Sequence, residues 1–177
     1  MGMTVSKNTL CNWLKKGKKY LDELVCVLKS IALEKDSIVN CDETWCKVRK
    51  YDHYKKCYIW VLVNKARKTA IFFYENGSRG RDVLTDFLGD AELKSIMSDG
   101  YNAYVFIGNE LKSARFKYGR DAGAGMAATY HSMIGTVKLH GSSVWNFIGT
   151  FFKKIFNGCR DYVNMVPDKI TLATSQC

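Results

Sequence analysis

Hydrophobic residues recur at intervals of three and four positions in four stretches of the chain, a spacing that predicts amphipathic helices. Two of these helices are expected near the N-terminus, at 4–16 and 18–34. Ser6 is a candidate N-cap for the first helix, and Gly17 is a candidate stop signal between the two. The N-terminal segment is therefore predicted to be helical.

Two further helices are predicted towards the C-terminus, at 125–139 and 142–156. The apolar stripe of the second one has nearly ideal helical spacing and consists of Val144, Phe147, Ile148, Phe151, Phe152 and Ile155. We interpret this stripe as a surface that faces the core. The alternative is a membrane-surface helix with Lys153 and Lys154 at its basic rim.

Between the helical segments, the pattern changes to short runs of β-branched and aromatic residues, which are typical of strands. Three runs, at 37–48, 56–64 and 69–75, are separated by short polar turns and should pair as antiparallel neighbours. A helix at 78–89 and a brief strand at 93–98 follow, and this fourth strand is expected beside the first. The predicted fold class is α/β. The order β-β-β-α-β is that of the front half of an RNase H-like mixed sheet, here incomplete, with N-terminal helices and a C-terminal helical pair.

This succession of elements divides the chain into four parts. We predict an N-terminal helical segment at 1–36, a partial RNase H-like domain at 37–117, a junction at 118–125 and a C-terminal helical segment at 126–177. A sheet that stops after four strands leaves an edge or an apolar face uncovered. The helices at 125–156 are expected to cover it.

Two acidic residues at apolar strands are the candidate catalytic residues. Asp42 lies within the first strand, where alternation places it on the face opposite to Cys41 and Glu43. A buried carboxylate is costly unless it is paired with a cation or binds a metal ion, and the sequence leaves both explanations open for Asp42. Asp99 directly follows the fourth strand, in a Ser-Asp-Gly-Tyr segment that an ordinary turn would also explain. If the two strands are neighbours, the two carboxylates can share a divalent cation.

The composition indicates a folded protein that favours polyanionic partners. The 177 residues include 27 Lys and Arg against 17 Asp and Glu, a net charge of +10, so nucleic acid is the first partner to expect. The candidate DNA-binding residues are Lys7, Lys15, Lys16, Arg79 and Arg81. The three lysines would suit the recognition helix of a helix-turn-helix, and a solvated basic face is the alternative.

The seven cysteines lack the spacing of a disulfide framework, which favours a reducing intracellular compartment. No segment reaches the ~20 apolar residues of a membrane span, so we expect a cytoplasmic protein without a membrane partner. A zinc site could be sought at Cys41, Cys46, His53 and Cys57, but strand alternation points the first two to opposite faces.

A series of segments, in the same order, resembles the transposases of the bacterial insertion-sequence sixty-six family, which are of the DDE type. The segments are T-V-S-K-N-T-L-C-N-W (4–13), D-E-T-W (42–45), Y-I-W-V (58–61), F-F-Y-E-N-G-S-R-G (72–80), S-D-G-Y (98–101) and A-A-T-Y-H-S-M-I-G-T-V-K-L-H-G (127–141). The last segment is similar to the Y-S-L-I-G-T-C-K-L-N-G block that follows the catalytic domain in that family.

The resemblance implies an RNase H-like domain that moves DNA by hydrolysis and strand transfer at phosphodiester bonds, with Mg²⁺ or Mn²⁺ held by two Asp and one Glu. It assigns Asp42 and Asp99 as the two aspartates. The third acid has no counterpart, because the interval between Asp99 and Ala127 is much shorter than in relatives, as after an internal deletion joined near 117–125. Glu110 is the nearest downstream acid, in a different context. The chain also starts like the middle of a longer protein.

We therefore expect a truncated DDE-type transposase that is inactive because it lacks the third carboxylate. Its expected partners in the bacterial cytoplasm are DNA and either a second copy of the chain or a full-length transposase. The alternative is a non-catalytic, basic DNA-binding or transposase-interacting protein. The two hypotheses differ in whether Asp42 and Asp99 contribute to function.

Overall fold

The structure is a computed structural model, and it describes residues 4–75, 79–98, 116–118 and 121–170. The helices and strands within these ranges are α1 (Lys7–Ala32), β1 (Ile38–Lys50), β2 (His53–Asn64), β3 (Thr69–Glu75), α2 (Arg81–Leu88), β4 (Ser95–Met97), β5 (Phe116–Tyr118), α3 (Asp121–Leu139) and α4 (Val144–Phe156), followed by a short 3-10 turn at Tyr162–Asn164. The side chains of Arg81 and of 116–118 lie outside the description.

The strands of the described part form one mixed sheet around β1. β3, β2 and β1 are antiparallel neighbours in that order. Both β4 and β5 run parallel to β1 along its other edge, β4 beside Ile38–Asn40 and β5 beside Cys46–Val48. The predicted order β-β-β-α-β is confirmed, and so is the place of the fourth strand beside the first.

One face of the sheet packs against α1 and α2. Leu21, Leu24 and Leu28 of α1 are buried in one core cluster with residues of β1, β2 and β3. The side chain of Asn64 donates a hydrogen bond to the carbonyl of Ala32 (3.0 Å), which fixes the end of α1 against β2. α2 contributes a smaller cluster in which Val83 and Leu84 contact Cys41 and Trp60.

The prediction of two N-terminal helices divided at Gly17 is wrong. α1 is one continuous helix from Lys7, with Ser6 as its N-cap as predicted. Gly17 is buried where α1 crosses α3 and α4, and a Cβ at this position would lie 2.8 Å from Tyr130 Oη and 3.2 Å from Phe152 Cζ. The glycine therefore permits the close approach of helices and does not end one.

α3 lies along the outer edge of β3 and closes it. Thr136 Oγ1 accepts a hydrogen bond from the amide of Ala70 (3.0 Å) and donates one to the carbonyl of the same residue (3.1 Å). One turn earlier, Ser132 Oγ accepts from the amide of Phe72 (2.7 Å) and lies 3.1 Å from its carbonyl oxygen. We call Ser132 and Thr136 the edge clamp. The expectation that the C-terminal helices cover the open sheet is confirmed for this edge.

α3 begins at Asp121, so that residues 121–125 of the predicted junction are helical. Ala124 is fully buried against the sheet, which explains why this small-residue stretch is ordered as helix. In α4, Phe147, Phe151 and Ile155 are buried, and the predicted core-facing stripe is confirmed at these positions. None of the helices in the described ranges is long and apolar enough to cross a membrane.

Candidate active site

Asp42 lies near the middle of β1, opposite Val61 of β2. The pairing of β1 with β2 runs without a bulge from Asn40 to Lys50, so side chains alternate strictly between the two faces of the sheet. Asp42 thus shares its face with Asn40 and Thr44, opposite to α1 and α2, and the predicted alternation with Cys41 and Glu43 is confirmed. It is half-buried, and its Oδ1 accepts a hydrogen bond from the amide of Glu43 (2.8 Å).

The neighbouring carboxylate of Glu43 is already paired. Its side chain is 3% exposed on the face that packs against α2, and it forms an ion pair with Arg79 at 2.5 Å. The guanidinium group of Arg79 also lies 6.0 Å from the ring centroid of Tyr58. Arg79 was predicted from the sequence to bind DNA, and its pairing with Glu43 was not predicted. The apolar surroundings of Glu43 could have indicated that a nearby cation was needed.

β4 leads towards the second predicted acid. Met97 pairs with Asn40 across the parallel ladder, and the next residue, Ser98, is 3% exposed. Ser98 Oγ has no hydrogen-bond partner within the described ranges. Asp99 and Glu110 lie outside those ranges, and so the structure does not place them relative to Asp42.

A second cluster of charged groups ties the start of α3 to the sheet. The carboxylate of Asp121 contacts Lys50 Nζ through one oxygen and accepts a hydrogen bond from Tyr74 Oη through the other. The Lys50 contact, more than that of Tyr74, holds the pKa of Asp121 below its ordinary value. Burial, followed by the bond to Asp121, raises the pKa of Tyr74. Because Lys50 and Tyr74 both bond to Asp121, this cluster is suited to fastening β1, β3 and α3 together.

The three predicted DNA-binding lysines of α1 are exposed. Lys7, Lys15 and Lys16 lie in its first three turns, next to the apolar residues Leu10 and Trp13. Trp13 is 50% exposed and Leu10 is 47% exposed. The N-terminal part of α1 therefore presents cations and apolar groups to solvent together. The side chain of Arg81 lies outside the description.

The four residues of the zinc alternative are not brought together. Cys41 lies in the cluster under α2, whereas Cys46 and Cys57 are buried together near the start of α3. His53 is at the tip of the β1–β2 hairpin, where Nδ1 lies 3.0 Å from the carboxylate of Asp52. Nowhere in the described part of the chain do three His, Cys, Asp or Glu side chains form a group that could hold a metal ion.

Comparison with known proteins gives one match. A family model described as the Transposase IS66 family matches residues 1–115, about two thirds of the chain. No curated protein matches the sequence, and no solved structure matches the fold. The matched range contains β1 with Asp42, the sheet as far as β4, and the segment that carries Asp99.

Proposed function

Because this chain belongs to the IS66 family of transposases, we propose that its sheet is the RNase H-like scaffold of a DDE-type enzyme that acts on the phosphodiester bonds of DNA. The element order β-β-β-α-β and the sheet order β3-β2-β1-β4 support the proposal. Within this scaffold β1 is the central strand, and an acid on it faces the side that α1 and α2 do not cover.

In this proposal Asp42 and Asp99 form the acidic pair of the site. The pairing of Asn40 with Met97 supports it, because each acid follows two residues after its member of that pair. Two residues of extended chain span about 7 Å. Residues in register on parallel strands also project to the same face. In this proposal we therefore expect Asp99 to lie close to the part of β1 that carries Asp42.

The donors fit a divalent cation such as Mg²⁺ or Mn²⁺. Mg²⁺ is commonly held by one or two carboxylates together with water and substrate phosphate oxygens. Asp42 offers a half-buried carboxylate whose orientation is restrained by the amide of Glu43. When bound, such an ion would supply charge stabilisation at the attacked phosphate. In this proposal, the role of the chain is to hold the carboxylates in place for the ion, with Asp42 fixed on β1.

We expect little transposition by this chain alone, because no group of three acidic side chains that could hold a metal ion forms among the described residues. Glu43 is paired with Arg79 on the opposite face of the sheet. Asp121 is bonded to Lys50 and Tyr74. Displacing Arg79 would leave the buried carboxylate of Glu43 unpaired, which costs several kcal/mol.

The alternative function is that of a non-catalytic protein that binds DNA or a full-length transposase. The net charge of +10 and the exposed Lys7, Lys15 and Lys16 favour it. It requires the fold and the cations but not the acids. The two functions therefore predict different results for the same variant of Asp42.

The deciding experiment is nicking of supercoiled plasmid by purified protein with Mn²⁺ or Mg²⁺. The wild type is compared with Asp42→Asn and with Asp90→Asn, an exposed acid in the loop after α2 that serves as the matched control. Metal-dependent nicking that Asp42→Asn abolishes and Asp90→Asn retains would establish the site and refute inactivity. Absence of nicking by folded wild-type protein, with DNA binding unchanged in Asp42→Asn, would favour the non-catalytic function.

A further inference from the structure

The β1–β2 hairpin carries a row of cations and aromatic rings on the face opposite to Asp42. The pairing places Trp45 directly across from Tyr58, and Lys47 directly across from Lys56. Towards the hairpin tip, Tyr54 lies across from Arg49. We call Trp45, Tyr58, Lys47, Lys56 and Tyr54 the hairpin face. It begins where the cover provided by α2 ends.

The rings and cations of the hairpin face are arranged around an open cleft. Trp45, Lys47, Tyr54 and Lys56 line a volume of about 370 Å³. Lys56 Nζ lies 5.7 Å from the ring centroid of Trp45 and 5.6 Å from that of Tyr58. Lys47 and Lys56 are exposed, and Tyr54 is 57% exposed. An approaching ligand thus meets two ammonium groups and the surfaces of aromatic rings.

The positive charges of the hairpin face favour an anionic ligand. Like charges directly opposite each other on paired strands are destabilising, as Lys47 and Lys56 are here. Arg49 adds a third exposed cation nearby. Of the nearby acidic residues, Glu43 is already paired with Arg79, and Glu75 lies on β3, beyond Tyr58. A phosphate group between the two lysines would relieve their repulsion.

We propose that the hairpin face binds single-stranded DNA, with a base stacked in the cleft and the backbone phosphates against Lys47 and Lys56. Proteins that hold single strands combine a basic track with aromatic rings on which bases stack, and each stacked base contributes to affinity regardless of its identity. In duplex DNA the bases are stacked on one another and cannot enter such a cleft. The proposal rests on the proposed function only in taking DNA as the nucleic acid.

The hairpin face lies on the opposite side of the sheet from Asp42 and is therefore separate from the candidate active site. Strand alternation directs Trp45 and Asp42 to opposite sides of β1. A single strand held at the hairpin would therefore not compete with substrate at the acids. The hairpin face would hold a displaced or unpaired segment of DNA away from them.

Fluorescence anisotropy tests the proposal with labelled oligothymidine of about 15 nucleotides, near the upper end of known site sizes, and with a duplex of equal length. Measurements are made in EDTA, so that the result does not depend on any metal-bound chemistry. We expect the single strand to bind more tightly than the duplex. Trp45→Ala and Tyr54→Ala should each weaken single-strand binding about 5- to 150-fold, whereas Trp45→Phe should largely retain it.

Matched controls come from α4, where Trp145 is 83% exposed and Lys153 is also exposed. Trp145→Ala and Lys153→Gln should leave single-strand affinity unchanged. Lys47→Gln and Lys56→Gln should each reduce the dependence of log affinity on log salt by about 0.7. Tyr54 is exposed enough that its truncation does not threaten folding, so that a loss of binding in Tyr54→Ala can be interpreted even if Trp45→Ala unfolds.

The proposal would be overturned in favour of plain phosphate contacts if the duplex bound as tightly as the single strand or more tightly. Tyr54→Ala would then have no effect on affinity, and Trp45→Phe and Trp45→Ala would bind equally. No single-strand binding at low salt would also overturn it. Neither outcome bears on nicking by the Asp42 site, and loss of nicking in Asp42→Asn leaves this binding intact. The two proposals can therefore fail separately.

Discussion

The edge clamp allows the sharpest test of how this sheet is held together. Ser132 and Thr136 are both fully buried, one turn apart on α3. Each hydroxyl lies between the amide and the carbonyl of one residue on the open edge of β3, Phe72 or Ala70. Replacement by Ser132→Ala and Thr136→Val retains most of the side-chain volume. It removes the hydrogen-bond partners and leaves the backbone groups in place.

The expected cost follows from the two amides. A buried donor left without an acceptor costs about 1–3 kcal/mol, so losing the partners of Ala70 and Phe72 should cost about 2–6 kcal/mol in the double variant. Domains of this kind are stable by only about 5–15 kcal/mol. The double variant should therefore lose a large part of its free energy of unfolding, and each single variant about half of that loss. The tight packing of Gly135, whose added Cβ would lie 3.2 Å from that of Ala70, leaves little room for water to replace the hydroxyls.

Chemical denaturation followed by circular dichroism measures the loss, and amide hydrogen exchange locates it. The amides of Ala70 and Phe72 should exchange faster in the variants, whereas those of the β1–β2 ladder change only with global stability. Ser30→Ala is the control, because Ser30 also carries a helix hydroxyl that donates to the carbonyl one turn earlier (Cys26, 3.2 Å), but at an exposed site and without a bond to the described strands. It should change stability by less than about 0.5 kcal/mol. A double variant that loses no more than this control would refute the clamp.

Two further predictions concern packing and charge. Gly17→Ala should destabilise the protein by about 1–3 kcal/mol through its contact with Tyr130, whereas Gly149→Ala in α4, where an added Cβ meets nothing within 4 Å, should be neutral or stabilising; thermal melting of both variants compares them. Because the Lys50 contact lowers the pKa of Asp121, its contribution to stability is complete above the ordinary pKa of 3.8 and is lost as the pH falls through the lower folded pKa. Asp121→Asn should therefore be less stable than wild type at neutral pH and lose less stability between pH 5 and pH 2 in denaturant titrations, and parallel pH profiles would contradict the ion pair.

Local periodicity was enough to predict most elements, because the alternation of β1 to β3 and the stripe of α4 each depend on residues close in sequence. The pairing of the fourth strand with the first also followed, since the connection through α2 allows few topologies. The position of Asp42 on the face opposite to Cys41 and Glu43 could be derived from alternation alone. The place of Asp99 relative to it stays a prediction.

What could not be predicted depends on residues far apart in the chain. Gly17 has the composition of a helix stop, and only its contact with Tyr130 shows that it serves packing. Arg79 and Glu43 are each plausible surface charges by sequence, and their pairing appears only when α2 is placed over β1. A prediction of DNA-binding residues from charge will include such cations, since the charge of one residue does not show whether it pairs with a carboxylate inside the fold or with a phosphate of DNA.

The edge clamp also gives a physical role to particular residues of the segment at 127–141, most of which was predicted to belong to a helix that covers the sheet. Ser132, Gly135 and Thr136 belong to the block at 127–141, beyond the range matched by the family model. An open edge such as that of β3 would invite pairing with another chain. The two hydroxyls satisfy it, and the glycine lets the helix approach. The block thus has a structural role at the edge of the sheet. A chain that has lost a catalytic carboxylate would still need this block to fold, so the proposed inactivity and a stable, DNA-binding sheet are compatible in one molecule.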